Sequence, residues 1–160
     1  MRTALRIAPA PRQRRTHPAP VRRSVRADPR WPQIVAALQE LRDAHRHAVR
    51  IVDADCACGT LLIEVARHAR VMGFTAIEGR GIDGSPALIG RARAAAARLH
   101  DPAIGLAFDM IDLRTALLQE AEAPADLLLW HGARPADATG MAPLLAAAAT
   151  RVIADAERTA

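Results

Sequence analysis

The sequence has no lysine and no tyrosine, and its 160 residues include only two tryptophans and two phenylalanines. With aromatic residues at 2% and hydrophobic residues at 51%, we expect a core of Leu, Ile, Val and Ala in which helices pack closely on a sheet. No apolar run approaches the roughly 18 residues that a membrane-spanning helix needs. The length suits one domain with a real core. We therefore expect one soluble domain without a membrane partner.

Cysteine is also scarce, since Cys56 and Cys58 are the only two and one residue separates them. A disulfide between them would be strained, and no second Cys or His pair lies at zinc spacing. We therefore predict no metal site. Two small thiols of this kind are typical of a reducing cytoplasm, where we expect the protein to reside.

The charge is unevenly distributed, because residues 1–30 hold nine arginines and one acid whereas residues 31–160 hold thirteen arginines and sixteen acids. Five prolines among those first arginines disfavour a helix, a packed strand or an organelle transit peptide. We predict a disordered basic arm over residues 1–30 and a folded domain over residues 31–160. The arm is either simply solvated or a contact for an acidic partner or a nucleic acid.

The stretch from Val49 to Ala66 organises the domain. A β-branched run reaches Asp53, small residues follow, and apolar positions then recur at helical spacing. This order predicts a strand, a tight loop and a helix. The first amide groups of such a helix can bind a polar or anionic ligand, and Gly59 allows a ligand to approach the backbone. An ordinary strand-to-helix corner is the alternative.

The rest of the chain continues the alternation of strands and helices. Further strands are predicted at residues 80–83, 104–108 and 126–130. Helices are predicted over about residues 32–46, 60–72, 86–99 and 114–120, with a last one starting near Gly140. Residues 151–154 fit either a fifth strand or a continued helix, and we favour the strand. The alternation predicts an α/β fold, a doubly wound and mainly parallel Rossmann-like sheet of four to five strands flanked by helices.

In such a sheet, ligands bind beyond the carboxyl ends of the strands. Polar residues stand at these ends in the sequence, namely Asp53, Asp83, Asp112 and His131. Asp83 is the sharpest candidate, because a carboxylate at the tip of the second strand can accept both hydroxyls of a ribose. Its alternative role is to cap the next helix, but Ser85 already stands at the cap position. We therefore favour ligand binding.

These residues resemble the class I S-adenosylmethionine-dependent methyltransferases over roughly residues 32–132. V-D-A-D-C-A-C-G resembles the first motif of that family, G-I-D-G-S-P-A-L-I-G-R-A-R the second, F-D-M-I-D-L the third and D-L-L-L-W-H-G the fourth. The resemblance implies that Ile111 lies against the adenine ring, that Asp112 faces the adenine amine and that His131 borders the methyl acceptor. The implied cofactor contacts are Asp53, Asp55, Cys56, Ala57, Gly59, Asp83, Gly84, Ser85, Ile111, Asp112 and Trp130.

The sequence departs from the family at two points. Asp55 and Ala57 occupy the first two glycine positions of the first motif, and Asp55 adds a negative charge where the methionine end of the cofactor would lie. Because Asp tolerates a left-handed backbone, we expect the turn to survive and the affinity to fall. The chain also ends before the sixth and seventh strands of the family's sheet, so we expect one exposed sheet edge.

The resemblance implies methyl transfer from S-adenosylmethionine to a small acceptor. His131 is the only candidate base, and this chemistry often needs none. A non-catalytic binding module that contacts its partner through the basic arm is the first alternative. A nicotinamide-dependent oxidoreductase is less favoured, because no G-x-G-x-x-G spacing occurs at the first loop. The sequence leaves the acceptor and the oligomeric state open.

Overall fold

The computed structural model describes residues 24–131 and 140–155. Five strands are present in this part of the chain, and we number them β1 Ala48–Ala54, β2 Ala76–Asp83, β3 Ile104–Met110, β4 Ala125–Trp130 and β5 Ala149–Ala154. The helices are α1 Trp31–Asp43, α2 Thr60–Val71, α3 Pro86–Ala96, α4 Leu113–Glu120 and α5 Met141–Ala148, preceded by a short 3-10 helix at Val25–Ala27. Within these ranges, none of the helices has both the length and the apolar character that crossing a bilayer requires.

The five strands form one sheet in the order β3-β2-β1-β4-β5, and every neighbouring pair is parallel. The predicted doubly wound sheet is therefore confirmed, and the segment at residues 151–154 is a strand. Strand order reverses between β1 and β4, where Ile51 is paired with Leu127 and Ala54 with Trp130. In this architecture the crevice beyond the carboxyl ends of those two strands is the expected place for a ligand.

Helices cover both faces of the sheet, so the central strands are apolar on both sides. Ile51 faces a core that α1, α2 and α3 complete, whereas its neighbour Val52 faces a second core that α4 and α5 complete. Leu127 and Leu128 divide between the two cores in the same way. This two-sided burial accounts for the continuous apolar runs in β1 and β4.

Two strands are longer than the sequence predicts. β2 begins at Ala76 rather than at residue 80, and β3 continues to Met110. The early half of β2 includes Gly79, and a Cβ there would lie 2.5 Å from Leu106 Cδ2. A glycine in a strand often marks such a close approach. The predicted start of the second strand at residue 80 was therefore wrong, because Gly79 belongs to the strand and its lack of a side chain is required by packing against Leu106.

The folded body begins before residue 31, in contrast to the predicted boundary of the arm. The 3-10 helix lies next to α2, where the Arg26 guanidinium donates to Glu64 Oε1 at 3.1 and 3.2 Å. Arg30 is only 5% exposed and is bonded to Asp28. Residues 24–30 therefore belong to the body, and the rest of the predicted arm lies outside the described residues.

Candidate functional site

The loop that follows β1 contains three left-handed residues at alternate positions. The φ angles are 64° at Asp55, 50° at Ala57 and 71° at Gly59. These are the three glycine positions of the first motif, and the turn forms here with a single glycine. A left-handed conformation costs an L-residue roughly 1–2 kcal/mol, and Asp bears it more easily than Ala. The expectation that the turn survives with Asp55 is therefore confirmed.

Backbone hydrogen bonds tie this loop to the tip of β2. The Cys56 amide donates to the Ile82 carbonyl at 2.9 Å, and the Ala57 amide donates to Asp83 Oδ2 at 3.0 Å. Gly59 closes the loop, and a Cβ there would lie 2.5 Å from Phe108 Cε1. The loop is thus fixed on one side by the carboxylate that the sequence singled out.

Asp83 is 7% exposed and orders the turn into α3 as well as the loop. Its Oδ1 accepts from the Ser85 amide at 2.7 Å. Ser85 stands at the N-cap position of α3, but its own side chain makes no capping hydrogen bond. Asp83 therefore orders the turn that leads into α3, and Ser85 does not supply the capping hydrogen bond that its position predicts. Each carboxylate oxygen can accept more than one hydrogen bond, so both retain capacity for a ligand hydroxyl.

Burial changes the chemistry of two side chains beneath the loop. Burial raises the pKa of Asp53 to about 7. The positive charge of Arg30 opposes this rise, and the carboxylates of Asp28 and Asp55 add to it. Burial, followed by the charges of Asp53 and Asp83, raises the pKa of the Cys56 thiol to about 12. Because the thiolate is the nucleophilic form, Cys56 is inert near neutral pH.

The tip of β3 lies beside the tip of β2, where Asp83 is paired with Met110. Asp112, two residues further on, is the N-cap of α4 and accepts from the Thr115 amide at 3.0 Å and from its hydroxyl at 3.1 Å. These hydrogen bonds lower the pKa of Asp112. The sequence analysis missed this capping role, although an Asp three residues before a Thr at a helix start is a recognisable signal. Ile111 is half-buried against the second core.

The other wall of the crevice is formed by residues after β4 and β5. Trp130 is half-buried, and the next residue, His131, has a side chain that is 50% exposed. His131 Nδ1 contacts Asp155 Oδ2, and Arg30 Nε lies 3.1 Å from Asp155 Oδ1. Arg30 also donates to both carboxylate oxygens of Asp28, each at 3.0 Å. The sequence analysis missed Arg30 and Asp155, because no local pattern links residues so far apart in the chain.

The structure therefore brings most of the predicted site residues to one edge of the sheet. Ala54, the last residue of β1, is paired with Ile82 on one side and with Trp130 on the other. The loop and Asp83 lie on the β2 side of this position, and His131 lies on the β4 side. Next to Asp83, a Cβ at Gly84 would meet nothing within 4 Å, so this part of the edge is open.

No protein-family model matches the sequence, and no curated protein matches it either. Solved structures do match the fold. Magnesium protoporphyrin IX methyltransferase from Synechocystis PCC 6803, solved with bound S-adenosylmethionine, is 19% identical over 74% of this chain and 54% of its own, with a TM-score of 0.51. WbdD is 20% identical over 69% of this chain and 23% of its own, with a TM-score of 0.50.

A methyltransferase from Agrobacterium tumefaciens that depends on S-adenosylmethionine is 15% identical over 61% of this chain and 29% of its own, with a TM-score of 0.46. This chain thus spans about half of the Synechocystis enzyme and less than a third of the other two proteins. The structure has the Rossmann-like fold of the class I S-adenosylmethionine-dependent methyltransferases.

Proposed function

We propose that this chain, which has a methyltransferase fold, binds S-adenosylmethionine at the carboxyl edge of β1 and β2 and transfers its methyl group to a small acceptor. The observation that carries the proposal is the bond between the first loop and Asp83. Three left-handed residues shape the loop, and the Ala57 amide donates to the Asp83 carboxylate. A loop and an acid held together in this way form a compact edge for a nucleoside.

The residues at this edge suit the cofactor. Asp83 has acceptor capacity left for the two ribose hydroxyls, and Gly84 leaves space beside it. The N-cap residue of α2 is Gly59, which has no side chain to cap the helix, so the first amide groups are available to a polar ligand. Ile111 and Asp112 would border the adenine.

The bound cofactor supplies a methyl group that its sulfonium has already activated for transfer. The protein then has two tasks, which are to align the acceptor for in-line attack and to exclude water. Trp130, at the end of β4, would contact the cofactor, and His131, the next residue, would border the acceptor. Asp55 is exposed in the loop and would lie near the methionine end, where its charge lowers the affinity.

Titration calorimetry with S-adenosylmethionine and with NAD tests the proposal. Asp83→Ala should weaken S-adenosylmethionine binding by about 1.5–3 kcal/mol, the value of a charge-assisted hydrogen bond. Asp83→Asn keeps one side-chain oxygen that can accept from the loop amide but removes the negative charge. This variant therefore distinguishes a loss of loop order from a loss of charge. Asp101→Asn, in a surface ion pair with Arg70, is the matched control and should bind as the parent does.

Several outcomes would contradict the proposal. Equal binding by the parent and both Asp83 variants would remove Asp83 from the site. Binding of NAD alone would favour an oxidoreductase. Binding of S-adenosylmethionine without transfer to any acceptor would favour the non-catalytic module, and binding of neither ligand would exclude a cofactor site at this edge.

A further inference from the structure

His131 and Asp155 form a pair that the cofactor contacts do not use. His131 Nδ1 contacts Asp155 Oδ2, and the Asp155 amide donates to the Trp130 carbonyl at 3.3 Å. The backbone thus holds the carboxylate beside the ring. The Asp155 side chain is 18% exposed and that of His131 is 50% exposed, so the carboxylate is largely covered while half of the His131 side chain is open to solvent.

Arg30 holds Asp155 in place from the other side. Its Nε lies 3.1 Å from Asp155 Oδ1, and its Nε and Nη2 donate to Asp28. The Arg30 side chain is 6% exposed. Because the single N–H of Nε is donated to Asp28, Arg30 attracts Asp155 through its charge, and Asp155 Oδ1 accepts no hydrogen bond from the described residues. The backbone hydrogen bond and this nearby positive charge together keep Asp155 beside His131.

We propose that Asp155 orients His131 as a general base and that the methyl acceptor is a hydroxyl compound. The inference rests on the proposed function and names its acceptor class. A carboxylate only accepts hydrogen bonds, so its contact with Nδ1 places the ring proton on that nitrogen and leaves the Nε2 lone pair free. A hydroxyl needs such a base because it must lose its proton when its oxygen is methylated.

Methyl transfer to a hydroxyl releases one proton, and His131 is placed to accept it. The acceptor oxygen forms a bond to the methyl carbon, and the carbon–sulfur bond breaks with its electron pair remaining on sulfur. The hydroxyl proton moves to His131 Nε2 and then to water. Among the described residues, Asp155 contacts the His131 ring, Asp28 lies near enough to interact with it through charge, and Arg30 is paired with both of these carboxylates.

The tautomer of His131 provides a test that needs no acceptor. Nitrogen-15 spectra of the parent, assigned with His131→Gln, should show neutral His131 protonated at Nδ1. Asp155→Asn can present an amide N–H to the ring, so this variant should shift the proton to Nε2. Glu78→Gln, at the opposite edge of the sheet and 66% exposed, should leave the spectrum unchanged. A parent protonated at Nε2 would overturn the proposal.

Transfer assays with labelled S-adenosylmethionine test the acceptor class, using catechol and thiophenol as probes. Because a general base contributes about 100-fold or more, His131→Gln should lower transfer to catechol by that factor. Transfer to the thiol should fall less than about tenfold, since an aromatic thiol is already mostly ionised near neutral pH and its thiolate is the nucleophile. Asp155→Asn should affect catechol in the same direction, and His100→Gln, an exposed histidine on the far side, should affect neither probe.

The outcomes of these assays distinguish the role of His131, the acceptor class and cofactor binding from one another. Equal losses with both probes, or no loss with catechol, would overturn the role of His131 as a base. A parent that binds S-adenosylmethionine but never methylates catechol would overturn the hydroxyl assignment and leave cofactor binding intact. A parent that does not bind S-adenosylmethionine would instead refute the proposed function itself.

Discussion

Ala57→Gly should make the protein more stable, although it removes a methyl group. Ala57 has a φ of 50°, a conformation that costs an L-residue roughly 1–2 kcal/mol. Glycine avoids this cost but loses about 0.5–1 kcal/mol through the greater freedom of the unfolded chain. The side chain is exposed, so little packing is lost, and the amide still donates to Asp83. We expect a net gain of about 0.5–1 kcal/mol.

Thermal and denaturant unfolding measure this gain. A change of 1 kcal/mol shifts the melting temperature by about 2–4 °C in a domain of this size. Ala94→Gly is the matched control, because Ala94 is exposed on α3 in a right-handed helical conformation. There, glycine should cost about 1 kcal/mol. If both variants were destabilised equally, the loop would not have the left-handed geometry described here.

Three further predictions concern acidic residues. Asp55→Gly should bind S-adenosylmethionine severalfold more tightly in calorimetry, because it removes a carboxylate beside the methionine end; unchanged affinity would place Asp55 elsewhere. The pKa of Asp53 is raised from 3.8 to about 7, so the free energy of unfolding of the parent should fall as pH rises between these values. In unfolding experiments, Asp53→Asn should remove most of this dependence on pH. Glu120→Ala should cost about 3 kcal/mol, because its buried carboxylate is paired with two arginines, whereas the exposed Glu122→Ala should cost little.

The order of the strands and helices could be predicted from the sequence. Apolar runs mark the strands, and acidic residues, glycine and proline mark where strands and helices begin or end. Asp53 and Asp83 end apolar segments, and Gly73 and Pro86 mark a helix end and a helix start. The same method failed for the first half of β2, which contains the exposed Glu78 beside Gly79. These residues look like a loop when they are taken alone. Their strand pairing depends on Leu106, which is distant in the sequence.

The candidate site could be predicted on one side only. The side formed by the first loop and Asp83 is encoded by local motifs around Asp83 and Gly59, whose spacing has a direct geometric meaning. The opposite wall depends on Arg30 and Asp155, which come from the two ends of the described chain. Asp155 meets both Arg30 and His131 only in the folded chain. Asp83 also shows that one carboxylate can order a turn and remain available to a ligand.

The central position of β1 has a consequence for how the chain folds. Val49 pairs with Ile77, which follows soon in the chain, whereas the Arg50 amide bonds to Asp126, 76 residues later. Pairing the second side of β1 therefore requires a long loop to close, which costs conformational entropy. Contacts between residues so distant in the chain are typical of slowly folding proteins. During synthesis, β1, α2 and β2 emerge first and can associate early. Because β4 emerges later and β5 after it, the crevice beside β1 is completed only when both of these strands have left the ribosome.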